Sequence, residues 1–298
     1  MTEGEVVSIV LPTYNRAYCV GRTIDSVLAQ TFPNWELIIC DDASTDDTES
    51  VAKSYCEQDS RIRYHRNPQR YGTPRNRNTG ISLSKGELIY FIEDDVVIEP
   101  DCLEMLVNTL KELKAKGISV GGIGPRTFEP QKQGRLMLLE RYVANQKRKR
   151  MDTPALIDKW TAFIYENFTL DCGDATETMA VPAWSLYTRD ALRAIGGYEE
   201  KAYNWLNNSQ VEAEFVVRLR KGRYKLYFQP RAVAHHQHEA RGGTRTSPIK
   251  YYYYYLVGHI IFLVRNFGWK SMYMIPACLF FSAYGVARSI PVLVTGRE

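Results

Sequence analysis

The run Ile89-Tyr90-Phe91-Ile92 ends without a break in Glu93-Asp94-Asp95, and apolar residues resume at once in Val96-Val97-Ile98. A short, continuous apolar and aromatic run of this kind is the pattern of one buried strand. Carboxylates at the end of a buried strand lose hydration and repel one another, so something positive has to neutralise them. In an α/β sheet that end of a strand is also where ligands bind. An oxygen-preferring divalent cation, Mn2+ or Mg2+, that itself holds the phosphates of a ligand meets both conditions. The competing reading is a solvated acidic turn, with Glu99-Pro100-Asp101 opening the next helix.

The residues around this run alternate between strand and helix patterns. Val6 to Leu11 reads as a first buried strand stopped by Pro12, and Val20, Ile24, Val27 and Leu28 fall at helical spacing between Val20 and Gln30. Trp35 to Cys40 reads as a second strand, after which the Ser, Thr and Asp of 41–48 offer caps for a helix to about Cys56. Ile62 to His65 is a third strand, Arg75 to Ser84 a helix, Leu88 to Ile92 a strand, Asp101 to Lys114 a helix and Val120 to Gly124 a strand. Alternation with short loops predicts the α/β class with a mostly parallel, Rossmann-like sheet and flanking helices. A length of 298 residues suits one large domain, or a domain plus an appendage. Beyond Pro125 the pattern predicts a helix from Leu136 to Arg150, a strand from Val181 to Tyr187 and a helix from Arg189 to Ile195 closed by Gly196-Gly197. An amphipathic helix from Gln210 to Lys221 and a final strand from Tyr224 to Phe228, stopped by Pro230, follow.

The net charge of +4 is too small to make nucleic acid the main partner, although Lys147-Arg148-Lys149-Arg150 is a concentrated basic run. Six cysteines at irregular positions, with no Cys-x-x-Cys pair, suit free thiols in a reducing compartment. The acidic start Met1-Thr2-Glu3-Gly4-Glu5 leads straight into a strand pattern and does not read as a signal peptide, so a cytoplasmic location is expected. The C-terminal region changes character. Five tyrosines, Tyr251 to Tyr255, run into apolar residues through Val264, and a second apolar stretch from Met272 to Tyr284 follows Arg265, Trp269 and Lys270. Each apolar run is shorter than the ~20 residues a spanning helix needs. Aromatic and basic residues beside short apolar helices are the composition of a segment lying in a membrane interface. That predicts a peripheral protein on the cytoplasmic face of a membrane; a helical cap on the core or an oligomer interface is the alternative.

Five motifs stand in order, Ser8-Ile9-Val10-Leu11-Pro12-Thr13-Tyr14-Asn15-Arg16 after the first strand, Asp41-Asp42-Ala43-Ser44-Thr45-Asp46 after the second, Asn76-Arg77-Asn78-Thr79-Gly80-Ile81, Gly86-Glu87-Leu88-Ile89 and Glu93-Asp94-Asp95, with Gly196-Gly197-Tyr198-Glu199-Glu200 further on. Together they resemble the family-2 inverting glycosyltransferases of GT-A fold, over about the first 240 residues. The resemblance implies a nucleotide-sugar-binding half (1–125), an acceptor-binding half of the same GT-A domain (126–243) and a C-terminal helical segment (244–298). It implies that Pro12, Thr13, Tyr14 and Asn15 hold a nucleoside and that Asp41 and Asp42 contact the base or ribose. Helix capping is the plainer reading of that acidic turn, with Asp46 the better capper. Arg77 matches an arginine near the donor nucleotide and diphosphate, and Arg75 is a second candidate; a solvated helix face is the alternative for both. The family's Asp-x-Asp falls on Glu93 and Asp95, with Asp95 on the metal, Glu93 near the ribose or the metal's waters, and Asp94 also counted with the donor site. Glu93 is one methylene longer than the usual Asp.

In the acceptor half, Glu214, Phe215 and Arg218 match the last signposts of the family's Glu-Asp-x-Glu-Leu-x-x-Arg, so the general base falls on Glu212 and Val211 replaces the preceding Glu. A carboxylate can deprotonate an acceptor hydroxyl as attack develops, so Glu is chemically competent there. A solvated acid on an amphipathic helix is the bland alternative. His235 fits a strand-end histidine that serves as a further metal or diphosphate ligand, with His236 and His238 as near misses. The Gln-x-x-Arg-Trp of processive synthases is absent from the sequence, which favours transfer of a single sugar. The resemblance thus implies a metal-dependent transferase moving one sugar from a nucleoside-diphosphate sugar, commonly a UDP-sugar, to a glycan or polyprenyl-phosphate-linked acceptor. A non-catalytic nucleotide-sugar-binding protein and a sugar-phosphate nucleotidylyltransferase are the rivals; the second lacks its Gly-rich signature after the first strand.

Overall fold

The computed structural model describes residues 5–129, 152–203, 210–237, 239 and 248–279. The elements run β1 (Val7–Thr13), α1 (Val20–Leu28), β2 (Trp35–Asp41), α2 (Thr48–Gln58), β3 (Ile62–Arg66), α3 (Thr73–Leu83), β4 (Leu88–Phe91), β5 (Val96–Ile98) and α4 (Cys102–Ala115). They continue with β6 (Val120–Phe128), β7 (Ala155–Ile157), β8 (Ile164–Glu166), β9 (Thr176–Thr178), β10 (Leu186–Thr188), α5 (Arg189–Ile195), α6 (Val211–Lys221), β11 (Lys225–His236) and α7 (Pro248–Phe267). A nine-stranded sheet has the order β3-β2-β1-β4-β10-β6-β11-β5, with β9 also on β11. Strands β1 to β4 pair in parallel, and β10 is antiparallel to both β4 and β6, so β6 and its parallel partner β11 run with the first four. The sheet is therefore mostly parallel, and the antiparallel members β5, β9 and β10 are each three residues long.

Alternation along the strands divides the core into two layers. Val7, Ile9 and Leu11 of β1, Leu37 and Ile39 of β2, and Leu88 and Tyr90 of β4 face α1, α2 and α4. Val10, Ile38, Cys40, Ile89 and Phe91 face the opposite layer, with α5, α6 and α7. Helix α3 also packs on this side, across β1 and β2. A Cβ on Gly80 would lie 2.2 Å from a Val10 methyl, so glycine there lets α3 sit close on β1. That approach holds Arg77, one turn earlier, over the carboxyl end of the sheet.

Two expectations are corrected. The strand expected over Val181 to Tyr187 is confined to Leu186–Thr188. Residues before it are turned, with Ser185 Oγ donating to the Pro182 carbonyl at 2.7 Å. The strand expected to stop at Pro230 instead continues to His236. Proline lacks a ladder N–H, and the chain accommodates it with a bulge: Gln229 pairs with Pro125 and Val233 with Arg126, so β11 advances four residues while β6 advances one. The segment after 247 packs part of its surface on the core, through Phe262 and Leu263 (both 0% exposed) of α7 and through Met274 and Cys278. Among the described residues, no helix is long and apolar enough to cross a membrane. The helix expected over Leu136 to Arg150, its basic run, and His238 lie outside the described residues.

Candidate active site

A cleft opens at the carboxyl ends of β1, β2 and β4, where Pro12, Thr13 and Tyr14 meet Asp42, Asn76 and the Glu93-Asp94-Asp95 cluster. The three carboxylates are held by different partners. Asp94 accepts from Thr13 Oγ1 at 2.9 Å and lies 3.4 Å from Arg16 Nε, while Arg16 Nη2 reaches Asp95 at 3.5 Å. His236 Nε2 stands 3.4 Å from the other oxygen of Asp95. Burial pushes the Asp94 carboxyl up to about 7, outweighing Arg16. Burial acts the same way on Asp95, but His236 and Arg16 hold it below the usual carboxylate range. His236 is the reciprocal case: burial opposes its charge, yet Asp95 and Glu129 raise it to about 9.

Ligand atoms of Glu93, Asp95 and His236 all lie within 4.8 Å of one another. Two carboxylates and an imidazole make a donor set that fits Mn2+ well and Mg2+ less well, since imidazole is a softer ligand than oxygen. His236 Nδ1 engages Glu129 at 3.1 Å, which orients Nε2 toward Asp95 in the manner of a metal-bound histidine with a supporting carboxylate. Pairing of His236 with Val96 across β11 and β5 brings this ring beside the cluster.

His235, the expected ligand, goes elsewhere. Its Nε2 meets Glu99 at 2.8 Å and its ring stacks on Phe128. The bulge explains the exchange. Before it Leu226 and Phe228 face the α6 layer, whereas after it Ala232 and Ala234 face the α1 layer, so the three extra residues reverse which parity of β11 faces which side.

Arg77 joins the two halves of the site. Its guanidinium is fully buried and donates to Glu93 at 2.7 Å and to Glu212 at 2.9 Å. The expected base therefore lies within one side chain of the expected metal cluster, although 119 positions separate Glu212 from Glu93 in sequence number. Glu212 remains 43% exposed, open to an incoming group, while Glu214 is 3% exposed and held by Arg218 at 2.7 Å. The neighbouring Asn78 clasps the glycine motif: its amide donates to the Tyr198 carbonyl and to Glu200, and its oxygen accepts from Tyr198 N. Gly197 has φ +73°, and a Cβ there would lie 2.5 Å from Asn78 Oδ1.

On the nucleoside side the expected residues separate. Asp42 lines the cleft and accepts from the backbone N–H groups of Tyr71 and Gly72 at 2.7 and 2.8 Å. Asp41 is fully buried, and its carboxylate is taken up by Ser44 N and the Tyr64 hydroxyl. Asn15 braces the same turn, accepting from Thr45 N at 2.7 Å from a left-handed backbone (φ 53°) that asparagine tolerates. Arg75 is exposed and stacks on Tyr71, whereas Arg70, absent from the sequence expectations, stacks on Tyr14 in the cleft wall. Arg16 and Asn76 were also missed as site residues. Arg16 follows Asn15 directly, and a cation beside three buried acids was the available signal. Asn76 supports from below, donating to the Cys40 carbonyl at 2.7 Å.

The family described as Glycosyl transferase family 2 matches residues 8–196. Glycosyltransferase GlyG of Streptococcus pneumoniae serotype 4 is 32% identical over 111 residues, 37% of this chain and 37% of that one. WfgD of Escherichia coli, a UDP-Glc:alpha-D-GlcNAc-diphosphoundecaprenol beta-1,3-glucosyltransferase, is 36% identical over 105 residues, 35% of this chain and 41% of its own length. The match thus spans about two fifths of each of these relatives. In fold, GalNAc-T7 solved with UDP, GalNAc and Mn2+ superposes with a TM-score of 0.69 at 15% identity, over 92% of this chain and 50% of that chain.

Proposed function

The chain belongs to glycosyl transferase family 2, and on that premise we propose that it transfers one sugar, with inversion at the anomeric carbon, from a UDP-sugar to an acceptor hydroxyl on a lipid-linked glycan. The observation that carries this reading is the Arg77 bridge, which ties Glu212 to the Glu93–Asp95 cluster at the mouth of the cleft. Pro12, Thr13, Tyr14 and Asp42 supply a wall for the nucleoside. Asp95, Glu93 and His236 would hold a divalent cation, Mn2+ for preference over Mg2+, and a bound cation supplies charge stabilisation to the departing diphosphate. Glu212 takes the acceptor proton as its oxygen bonds to the anomeric carbon; the bond from that carbon to the diphosphate oxygen breaks with its electron pair, and UDP leaves. Arg77 keeps Glu212 aimed through a charge-assisted hydrogen bond at 2.9 Å.

A UDP donor and a diphosphoundecaprenol-borne acceptor are what the name of the WfgD relative describes for that protein, and both come to this chain as part of the proposal. So does a working place at the cytoplasmic face of a membrane, with the segment after 247 against the lipid. The test is transfer from a panel of UDP-, GDP- and dTDP-sugars to a synthetic lipid diphosphate carrying GlcNAc, with Mn2+, Mg2+ or EDTA. Consumption of a UDP-α-sugar giving a β-linked product that disappears in EDTA is expected. A retained α-linkage overturns inversion, and transfer that persists in EDTA overturns the metal.

A further inference from the structure

Trp160, Tyr273 and Trp269 form a ladder on the surface, with ring centroids 6.2 Å apart at each step. They are 55%, 39% and 73% exposed, and Met272 beside them is 80% exposed. The ladder is built by two parts of the chain that are distant in sequence. Trp160 sits on the turn between β7 and β8, which Asp158 braces by accepting from the backbone of Trp160 and Thr161 at 3.0 Å. Trp269 lies in the turn that follows α7, and Tyr273 in the helical residues just after it. Exposed aromatic rings of this size cost free energy in water and signify a surface meant to be covered.

What covers it follows from the cations around it. Lys159 Nζ lies 5.4 Å from the Trp160 ring, and the exposed Lys270 stands between Trp269 and Met272. From Ala240 to Arg297 the sequence has seven Lys or Arg and no Asp or Glu, whereas the rest of the chain carries 31 basic against 34 acidic residues. Arg265 is already paired with Glu199; Lys159 and Lys270 are both exposed. Tryptophan and tyrosine with interspersed lysine match the interface of a bilayer, rings at the headgroup level and ammonium groups among anionic phosphates. We propose that the Trp160–Tyr273–Trp269 ladder, flanked by Lys159 and Lys270, is the surface by which the protein lies on an anionic phospholipid bilayer. The purpose of such docking rests on the reading that the acceptor is lipid-borne; the surface itself is a separate claim.

The test uses the full chain with vesicles of phosphatidylcholine alone or mixed with phosphatidylglycerol, read by flotation and by quenching of tryptophan emission with brominated lipid. Binding to the anionic vesicles, weaker to the neutral ones and weaker in high salt, is expected. The double variant Trp160→Ala/Trp269→Ala should lose on the order of tenfold or more in partitioning, and Trp160→Phe/Trp269→Phe should recover part of it. The Mn2+-dependent thermal shift by UDP should be unchanged in both, which certifies a folded donor site. Parent protein that ignores both vesicles, or an alanine variant that binds like the parent, overturns the proposal. So does a parent dimer that the alanine variant dissolves without vesicle binding, since the face then joins two copies. Vesicle binding without sugar transfer counts against the transferase reading alone, and transfer to a detergent-dispersed acceptor without vesicle binding counts against this one alone.

Discussion

Arg77 carries two interactions that no other described residue makes together, so its replacement separates charge from geometry. A lysine keeps the charge but has no fork, and one ammonium cannot reproduce both the 2.7 and 2.9 Å contacts. Arg77→Lys should therefore lower stability by ~1–3 kcal/mol, as expected when a hydrogen bond of a buried group is lost, and should also lower turnover; chemical denaturation and transfer kinetics read the two effects separately. Glu212→Gln should leave stability and UDP affinity in place and cut turnover by roughly 10²-fold or more. Glu214→Gln should act mainly on stability, because Glu214 is buried against Arg218 rather than open to an acceptor. If Glu214→Gln abolishes transfer in a fully folded protein while Glu212→Gln turns over normally, the base is Glu214. At the histidines, His236→Ala should weaken Mn2+-dependent UDP binding by ~10-fold or more, and His235→Ala, whose ring serves Glu99, should leave it unchanged; isothermal titration distinguishes them. Among single residues the sequence made Asp95, Glu93, Arg77 and Glu212 legible because motif spacing is chemical. It left His236 a near miss behind His235, because one histidine and the next differ only in parity, and parity is decided by the bulge.

At the scale of elements, β1, β2 and β4 were readable because strands buried on both faces appear as continuous apolar runs. Strands of three residues, such as β5, β7, β8 and β9, carry too few positions to establish a period, and none was foreseen. Helix α7 has an energetic signature of its own. His259 is 1% exposed; its Nε2 donates to the Thr161 carbonyl at 2.7 Å, and Nδ1 lies 3.3 Å from the carboxamide of Gln210, the residue that opens α6. Burial depresses this imidazole to about 4 against an ordinary 6.5. As pH falls, the unfolded chain takes up this proton first, so the contribution is full above pH 6.5 and is lost between 6.5 and 4. By pH 5 the parent should have lost ~2 kcal/mol from this group relative to pH 7.5. His259→Gln removes that dependence, so urea midpoints of parent and variant should converge at low pH. A constant gap between them across pH 7.5 to 5 would mean that His259 is not held neutral.

For the whole molecule, the central question is whether the C-terminal helices are an appendage or part of the folding unit. The sheet itself already joins distant parts of the chain, since β10 lies between β4 and β6. The C-terminal helices then cover the layer that contains α6: Phe262 and Leu263 are fully buried, Met274 and Cys278 nearly so, and Lys221 of α6 donates to the Asn266 carbonyl at 2.6 Å. Fully burying a side chain such as Phe, Leu or Met stabilises by roughly 1.5–3 kcal/mol, so removing three of them costs several kcal/mol against a typical net stability of about 5–15. Truncation after Gly243 should therefore reach the fold itself. It should lower the melting temperature sharply and drive the chain into inclusion bodies or aggregates at 37 °C, as calorimetry and sedimentation would register. A truncated chain that melts with the parent would make the C-terminal helices a separable attachment, and would leave the burial of Phe262 and Leu263 without consequence for the fold.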